Sequence, residues 1–230
     1  MEIATKGVYI VTGGGGAIAG PVAEVFREAG ARLVLADRSA EAVAGRAEAL
    51  GALAVVADLT DPAAAARMVT ETVARYGRVD GLIHTAGAFA AAPAAEGGLE
   101  LYEHLFAVNV RTLVCAVEAV LPRLLAQDAG FLAGFASSAV WRDGSPGIAL
   151  YAAAKGAVAL YLRSLEKELR DTGVGVAVVH PMAPVDTGAN RRAMAGADTS
   201  SWVDPAEIAR ALLFAATRPR RGRIFELPVA

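Results

Sequence analysis

VYIVTGGGGAIAG, residues 8–20, passes from four apolar residues through four consecutive glycines into an alanine-rich stretch. Val8, Tyr9, Ile10 and Val11 suit a strand, and the residues from Ala17 onward suit a helix. Glycines between the two let the backbone turn tightly and approach a phosphate, whose charge then sits over the N–H groups of the helix start. A plain strand-to-helix turn can have the same composition, so the glycines alone leave both readings open. A P-loop is excluded, because no Lys-Ser/Thr pair follows the run.

The rest of the chain repeats the strand–helix alternation. Short apolar runs at 7–12, 32–36, 53–57, 80–84, 130–136, 174–180 and 223–228 alternate with helix-like stretches near 17–29, 39–50, 61–76, 99–127, 151–171 and 205–217. Runs such as LVLA and VGVAVV are nearly continuous hydrophobes, as strands are when both sheet faces are covered. The pattern predicts an α/β fold over residues 1–230: a single-domain Rossmann-type doubly wound sheet of about seven parallel strands, with helices on both faces. Asp61-Pro62 and Asp204-Pro205 each set a cap residue before a first-turn proline. The one long irregular stretch, about 182–204, is expected to be a substrate loop.

Composition narrows the function classes. The chain has 230 residues, 55% of them hydrophobic, and a net charge of −2, so nothing draws it as a whole to nucleic acid or an anionic membrane. Cys115, the single cysteine, sits in the apolar run LVCAV and reads as a buried thiol in a reducing compartment. His84, His104 and His180 lie far apart with no partner at ligand spacing, so no metal site is expected. The N-terminus reaches a short strand-like run without a basic leader, and no apolar stretch approaches about 20 uninterrupted residues. A cytoplasmic protein is the expectation.

A second nucleotide signal follows the glycines. The strand LVLAD ends in Asp37, 24 residues after Gly13 and close to the spacing of a ribose-binding acid. A carboxylate there accepts from both adenosine ribose hydroxyls and repels a 2′-phosphate, which favours NAD over NADP. Arg38 beside it could instead pair with that phosphate. The alternative for Asp37 is a helix cap. Asp58, which with Leu59 ends the third strand in VADLTD, could meet the adenine or serve as a turn residue.

At this point the sequence resembles the short-chain dehydrogenase/reductase family along essentially its whole length. The family pattern TGxxxGxG is matched by Thr12 and Gly13, with Ala17 and Ala19 in the second and third glycine positions. The resemblance implies that Gly13, Gly15, Gly16, Ala17 and Ile18 line the cofactor's pyrophosphate. The family's NNAG segment stands here as His84-Thr85-Ala86-Gly87, so Ala86 and Gly87 would pass close to the cofactor while His84 serves as a structural hydrogen-bonding residue. After the sixth strand, Pro181 matches the family Pro-Gly, Met182 replaces its glycine, and Thr187 is expected at the nicotinamide carboxamide.

SSAVWRDGSPGIALYAAAKGAV, residues 137–158, carries the chemistry. Tyr151 and Lys155 are four apart, which puts both on one helix face, and Ser138 lies thirteen residues before Tyr151. This is the family's Ser–Tyr–Lys spacing, completed to a tetrad by Asn109 in FAVNVRT. Strand alternation points the neighbouring Ser137 to the opposite face. Hydride addition to a carbonyl builds charge on oxygen that must be stabilised and protonated. A phenol has an ordinary pKa of about 10, and bringing it to about 7 takes roughly 4 kcal/mol of phenolate stabilisation. A nearby lysine ammonium with the oxidised nicotinamide's charge is expected to supply it. Ser138 would hydrogen-bond the substrate oxygen, and the resemblance gives Asn109 a water leading from Lys155 to solvent.

The substrate is less legible. DTGANRRAMAGADTSSWVDPAEIA, residues 186–209, is similar to the DTPxNRxxMPxADxSxW segment of the dihydropteridine reductase branch. The leading expectation is an NAD(H)-dependent carbonyl/alcohol oxidoreductase. A quinonoid dihydropteridine reductase-like enzyme and a 3-oxoacyl-thioester reductase are the specific alternatives, and a catalytically silent NAD-binding scaffold or sensor is the alternative of another class. Phe89, Trp141, Arg142, Met182, Asn190 and Arg191 could enclose a flat heterocycle or an anionic head group, or be ordinary lid packing. The resemblance further implies a homotetramer, with a dimer as alternative, built on helices 99–127 and 151–171 and on the tail 224–229.

Overall fold

A computed structural model of the chain describes residues 6–218 and 224–230. Residues 1–5, where the absence of a leader was read, lie outside the described residues, as do residue 223 of the last expected strand and the side chains of Ile224 and Phe225.

The elements follow the expected alternation: β1 (Val8–Thr12), α1 (Ala19–Glu28), β2 (Arg32–Asp37), α2 (Ala40–Leu50), β3 (Leu53–Val56), α3 (Pro62–Tyr76) and β4 (Gly81–His84). Next come α4 (Gly98–Phe106), one π turn (Ala107–Arg111), α5 (Thr112–Ala126), β5 (Gly130–Phe135), α6 (Ser138–Trp141) and α7 (Ala149–Glu168). The chain closes with β6 (Val174–Pro181), α8 (Gly188–Ala193), α9 (Pro205–Thr217) and β7 (Ile224–Val229). The strands form one sheet in the order β3-β2-β1-β4-β5-β6-β7, and every neighbouring pair is parallel.

Every residue of β1, β4 and β5 is buried, because helices cover both faces. On one face Met68 of α3, Leu113 and Val117 of α5, and Leu162 of α7 pack against Ile10 and Leu82. On the other, Val22 and Phe26 of α1, Val43 of α2 and Leu212 of α9 pack against Tyr9, Leu35 and Phe131. Asp61 and Asp204 cap α3 and α9, each accepting from the amide two residues on, at 2.9 and 2.8 Å.

The helix expected over 99–127 is present as Gly98–Ala126 and carries one π turn around Asn109; an inserted residue of this kind redirects side chains and is frequent at functional sites. The stretch 182–204 is not wholly irregular: it contains α8, and Val185 and Val203 form a parallel bridge that ties its ends together. The rod Gly98–Ala126 is, by length and composition, apolar enough to cross a membrane, although Glu103, Arg111 and Glu118 interrupt its apolar runs. In the fold its inward side chains, among them Leu105, Leu113, Val117 and Leu124, are buried in the core.

The topology opens the site. The chain leaves β1 for β2 on one side and returns through β4 on the other, so a crevice forms above the carboxyl ends of β1 and β4. There the backbones meet closely: a Cβ on Gly13, whose φ is +63°, would fall 2.9 Å from Ala86 Cα. Only glycine tolerates both the conformation and the contact.

Candidate active site

A cleft of about 480 Å³ runs from Gly16, Ala17 and Ile18 past Ser138, Tyr151 and Lys155. Gly87, Pro181 and Thr187 also border it, and Asn190 and Met194 of the 182–204 segment form part of its wall. Nine of the expected site residues therefore share one cavity. Gly13, Gly15, Asp37, Arg38, Asp58, Leu59, Ala86 and Asn109 lie outside its lining.

The glycine turn is fastened from two sides. Gly15 N–H donates to Asp37 Oδ2 at 3.0 Å, while Asp37 Oδ1 accepts from Ser39 N–H at 3.0 Å. Arg46 of α2 donates through Nη1 to the carbonyls of Gly14 and Gly16 at 2.5 and 2.7 Å. Sequence reasoning missed Arg46, since nothing in the spacing ties α2 to the turn. Ile18 supplies no side-chain cap to α1, so the amides of its first turn are left for an anion. These residues fit a dinucleotide pyrophosphate at the turn.

At the end of β3, Asp58 takes the turn role. Its Oδ1 accepts from Thr60 N–H at 2.9 Å and Thr60 Oγ1 at 2.8 Å, and these bonds, with the charges of Arg38 and Arg111, hold the carboxyl below its ordinary range. The Leu59 side chain is buried in the core.

Asn109 is buried in the π turn and bonded to the segment after β4. Its Nδ2 donates to the carbonyls of Ala88 and Leu105, both at 3.0 Å, and its Oδ1 accepts from Ala88 N–H at 3.2 Å. Gly87 lies between Asn109 and Lys155: a Cβ there would stand 2.7 Å from Asn109 Oδ1 and 3.3 Å from Lys155 Nζ. His84 has the structural role expected of it, with Nδ1 2.9 Å from Thr12 Oγ1 and Nε2 3.1 Å from Thr112 Oγ1. Complete burial, with the Lys155 charge adding to it, pulls the imidazole down to about 3.

Tyr151 and Lys155 lie one turn apart on α7, as their spacing requires. Lys155 Nζ donates to the Phe135 carbonyl at 3.0 Å and sits 5.9 Å from the Tyr151 ring centroid. Burial pulls the ammonium down to about 8 and pushes the Tyr151 phenol up to about 12. The direction for Tyr151 is opposite to the acidification anticipated from the sequence. Desolvation of the phenolate sets that direction.

Ser138 opens α6 and borders the cleft. Ser137 borders it too, but its hydroxyl is sealed from solvent and has no partner among the described residues. Behind this pair lies a chain that the sequence did not suggest: Arg163 Nε donates to Glu226 Oε1 at 2.7 Å, His180 Nε2 meets Glu226 Oε2 at 2.7 Å, and His180 Nδ1 lies 3.3 Å from the Ser137 carbonyl. A lone histidine closing the apolar run VGVAVV was the available signal.

Several proposed lid residues point elsewhere. Arg191 is paired with Asp186 through Nε and Nη2, Arg142 donates to the Met182 carbonyl at 3.1 Å, and Trp141 packs edge-on against His180. None of these, nor Met182, lines the cleft; Phe89 and Asn190 do. Among the described residues no group of His, Cys, Asp or Glu could hold a metal ion.

The comparisons agree with this geometry. The short chain dehydrogenase family profile matches residues 7–197. The chain therefore belongs to the short-chain dehydrogenase/reductase family, and it is an NAD(P)-dependent oxidoreductase. It is 31% identical, over all of its length and 98% of the other chain, to an uncharacterised oxidoreductase of Staphylococcus saprophyticus. An uncharacterised oxidoreductase of Staphylococcus aureus is 29% identical over 100% and 99% of the two chains. Among solved structures, gox2181 superimposes with a TM-score of 0.88 at 25% identity, covering 97% of this chain and 94% of that one. NAD+-bound xylitol dehydrogenase gives 0.86 at 23% identity over 98% of each chain, which shows the fold alone. The matches support the family and not the dihydropteridine reductase branch.

Proposed function

We propose that the chain interconverts a carbonyl compound and an alcohol with NAD(H) in preference to NADP(H), using Tyr151 as general acid and base. The observation that carries this reading is the convergence of Ser138, Tyr151 and Lys155 on the cleft that begins at Gly16, Ala17 and Ile18. When bound, a dihydronicotinamide would supply a hydride, one proton with two electrons, for the carbonyl carbon. Tyr151 gives its phenolic proton to the carbonyl oxygen, and Ser138 hydrogen-bonds that same oxygen and orients it. Lys155, held by the Phe135 carbonyl, stabilises the phenolate that remains. In oxidation the phenolate takes the alcohol proton instead.

Asp37 supports the NAD preference. Its two carboxylate oxygens each accept one backbone N–H, which leaves lone pairs for ribose hydroxyls and a negative charge facing any 2′-phosphate. Pro181 and Thr187 are assigned to the nicotinamide end, and Gly13, Ala86 and Gly87 to the close backbone approach. For assembly we assign the two long helical rods, where Leu99 and Leu160 remain 77% and 65% exposed, to contacts between copies in a tetramer.

Two titrations and one variant test the reading. NADH should bind at least tenfold more tightly than NADPH, and Asp37→Ser should narrow that ratio. Tyr151→Phe should bind NADH as wild type does yet lose at least a hundredfold in kcat across a carbonyl panel. Equal turnover by wild type and Tyr151→Phe, with NADH bound to both, would favour the scaffold function.

A further inference from the structure

Resting on the oxidoreductase reading above, we infer that the substrate is an uncharged carbonyl compound, apolar on the side that meets Phe89 and Met194 and carrying a hydroxyl donor for Asn190 Oδ1.

Charge decides the first part. Lys155 is the one basic side chain among the described residues lining the cleft, and its Nζ is buried and engaged by the Phe135 carbonyl. The arginines around the cleft mouth face other groups: Arg191 pairs with both oxygens of Asp186, Arg142 donates to the Met182 carbonyl, and Arg192 is exposed and outside the cleft lining. A carboxylate or phosphate on the substrate, entering at the Tyr151 end of this cleft, would shed its water with no free cation among the lining residues to replace it.

The walls decide the second part. Phe89 stands edge-on to the Tyr151 ring, with centroids 4.9 Å apart and planes at 75°, yet it is 64% exposed. Ile148, Pro184 and Met194 continue the same apolar surface. A ring or alkyl group beside the reacting carbon would cover Phe89 and take its exposed apolar surface out of water.

Asn190 decides the third. Its Nδ2 donates to the Val185 carbonyl at 2.8 Å, and this bond sets which way the amide faces. Its backbone N–H is used by Thr187 Oγ1 at 3.2 Å. No described residue donates to Asn190 Oδ1, which leaves an acceptor in the cleft wall for a hydroxyl of the ligand.

Two matched ketone series test the inference with wild type and Asn190→Ala: 2-hydroxyacetophenone, acetophenone and phenylglyoxylate, then hydroxyacetone, acetone and pyruvate. The members of each series differ only in a CH₂OH, CH₃ or carboxylate group beside the same carbonyl. The expected kcat/KM falls in that order, by at least tenfold at each step, and each phenyl compound exceeds its methyl counterpart. Asn190→Ala should narrow the kcat/KM ratio of hydroxyl-bearing to plain ketone about tenfold in each series. Preference for either keto acid over its neutral partners overturns the inference and leaves the oxidoreductase reading standing. An equal loss for all ketones in Asn190→Ala overturns the role given to Asn190. If none of the six turns over while NADH binds, both the functional reading and this inference fail.

Discussion

Asn109 and Ala88 exchange two hydrogen bonds: the amide Nδ2 donates to the Ala88 carbonyl at 3.0 Å, and the Ala88 N–H donates to Oδ1 at 3.2 Å. The pair binds the segment after β4, whose Gly87 and Ala88 line the cleft, to the π turn. Asn109→Ala should therefore lower stability as well as activity, by about 1–3 kcal/mol in urea unfolding, because the Ala88 backbone groups lose their partners. A variant as stable as wild type would mean that the side chain acts on the proton path alone.

Gly87→Ala should be nearly as damaging despite adding one methyl group. The new Cβ would stand 2.7 Å from Asn109 Oδ1 and press on Lys155 as well. Overpacking of this kind costs about 1–3 kcal/mol, and kcat should fall along with the melting temperature. Normal kcat in the purified variant would contradict the close packing described.

Lys155→Met should be more stable than wild type at pH 7, by about 1–3 kcal/mol, while losing activity. Burial holds the folded ammonium near 8, below its ordinary 10.5. Between those values the unfolded chain binds the extra proton, so stability rises with pH across that window and the full cost is felt below pH 8. Urea unfolding of wild type at pH 7 and 9.5 should show the rise, and Lys155→Met should lack it.

His84 makes the opposite end of the pH scale informative. Its folded value is about 3 against an ordinary 6.5, so the unfolded chain takes up the proton first as pH falls through that interval. Stability should drop by up to about 4 kcal/mol from pH 6.5 to 3 through this group alone. His84→Asn, unfolded by urea at pH 7 and pH 4.5, should show a shallower acid loss than wild type.

Arg46→Ala should weaken NADH and NADPH binding by the same factor, about five- to twentyfold, without changing kcat at saturation. The guanidinium holds two carbonyls of the turn in place and has no assigned contact with the ribose, so affinity rather than preference should suffer. A selective loss of one cofactor, read by fluorescence titration, would assign Arg46 to the ribose instead.

Strand and helix positions were visible in the residues because they rest on local rules: apolar runs, glycine turns and Asp-Pro caps act over a few neighbours. A spacing of four between Tyr151 and Lys155 settles that both share a helix face, whatever surrounds the helix. The π turn at Asn109 was not visible, since an inserted residue leaves composition unchanged. Nor was the fate of the arginines: Arg191 and Arg142 could have served an anionic ligand, and only folding revealed Asp186 and the Met182 carbonyl as their partners.

Local order along this chain was thus enough for the parallel sheet, the glycine turn after β1 and the shared helix face of Tyr151 and Lys155. Burial and long-range contact had to come from the folded molecule. Arg46 reaching a turn 30 residues away, His180 backing Ser137, and the phenol shifted up to about 12 depend on which groups lose water together. Desolvation is a property of the packed whole, and no stretch of sequence carries it.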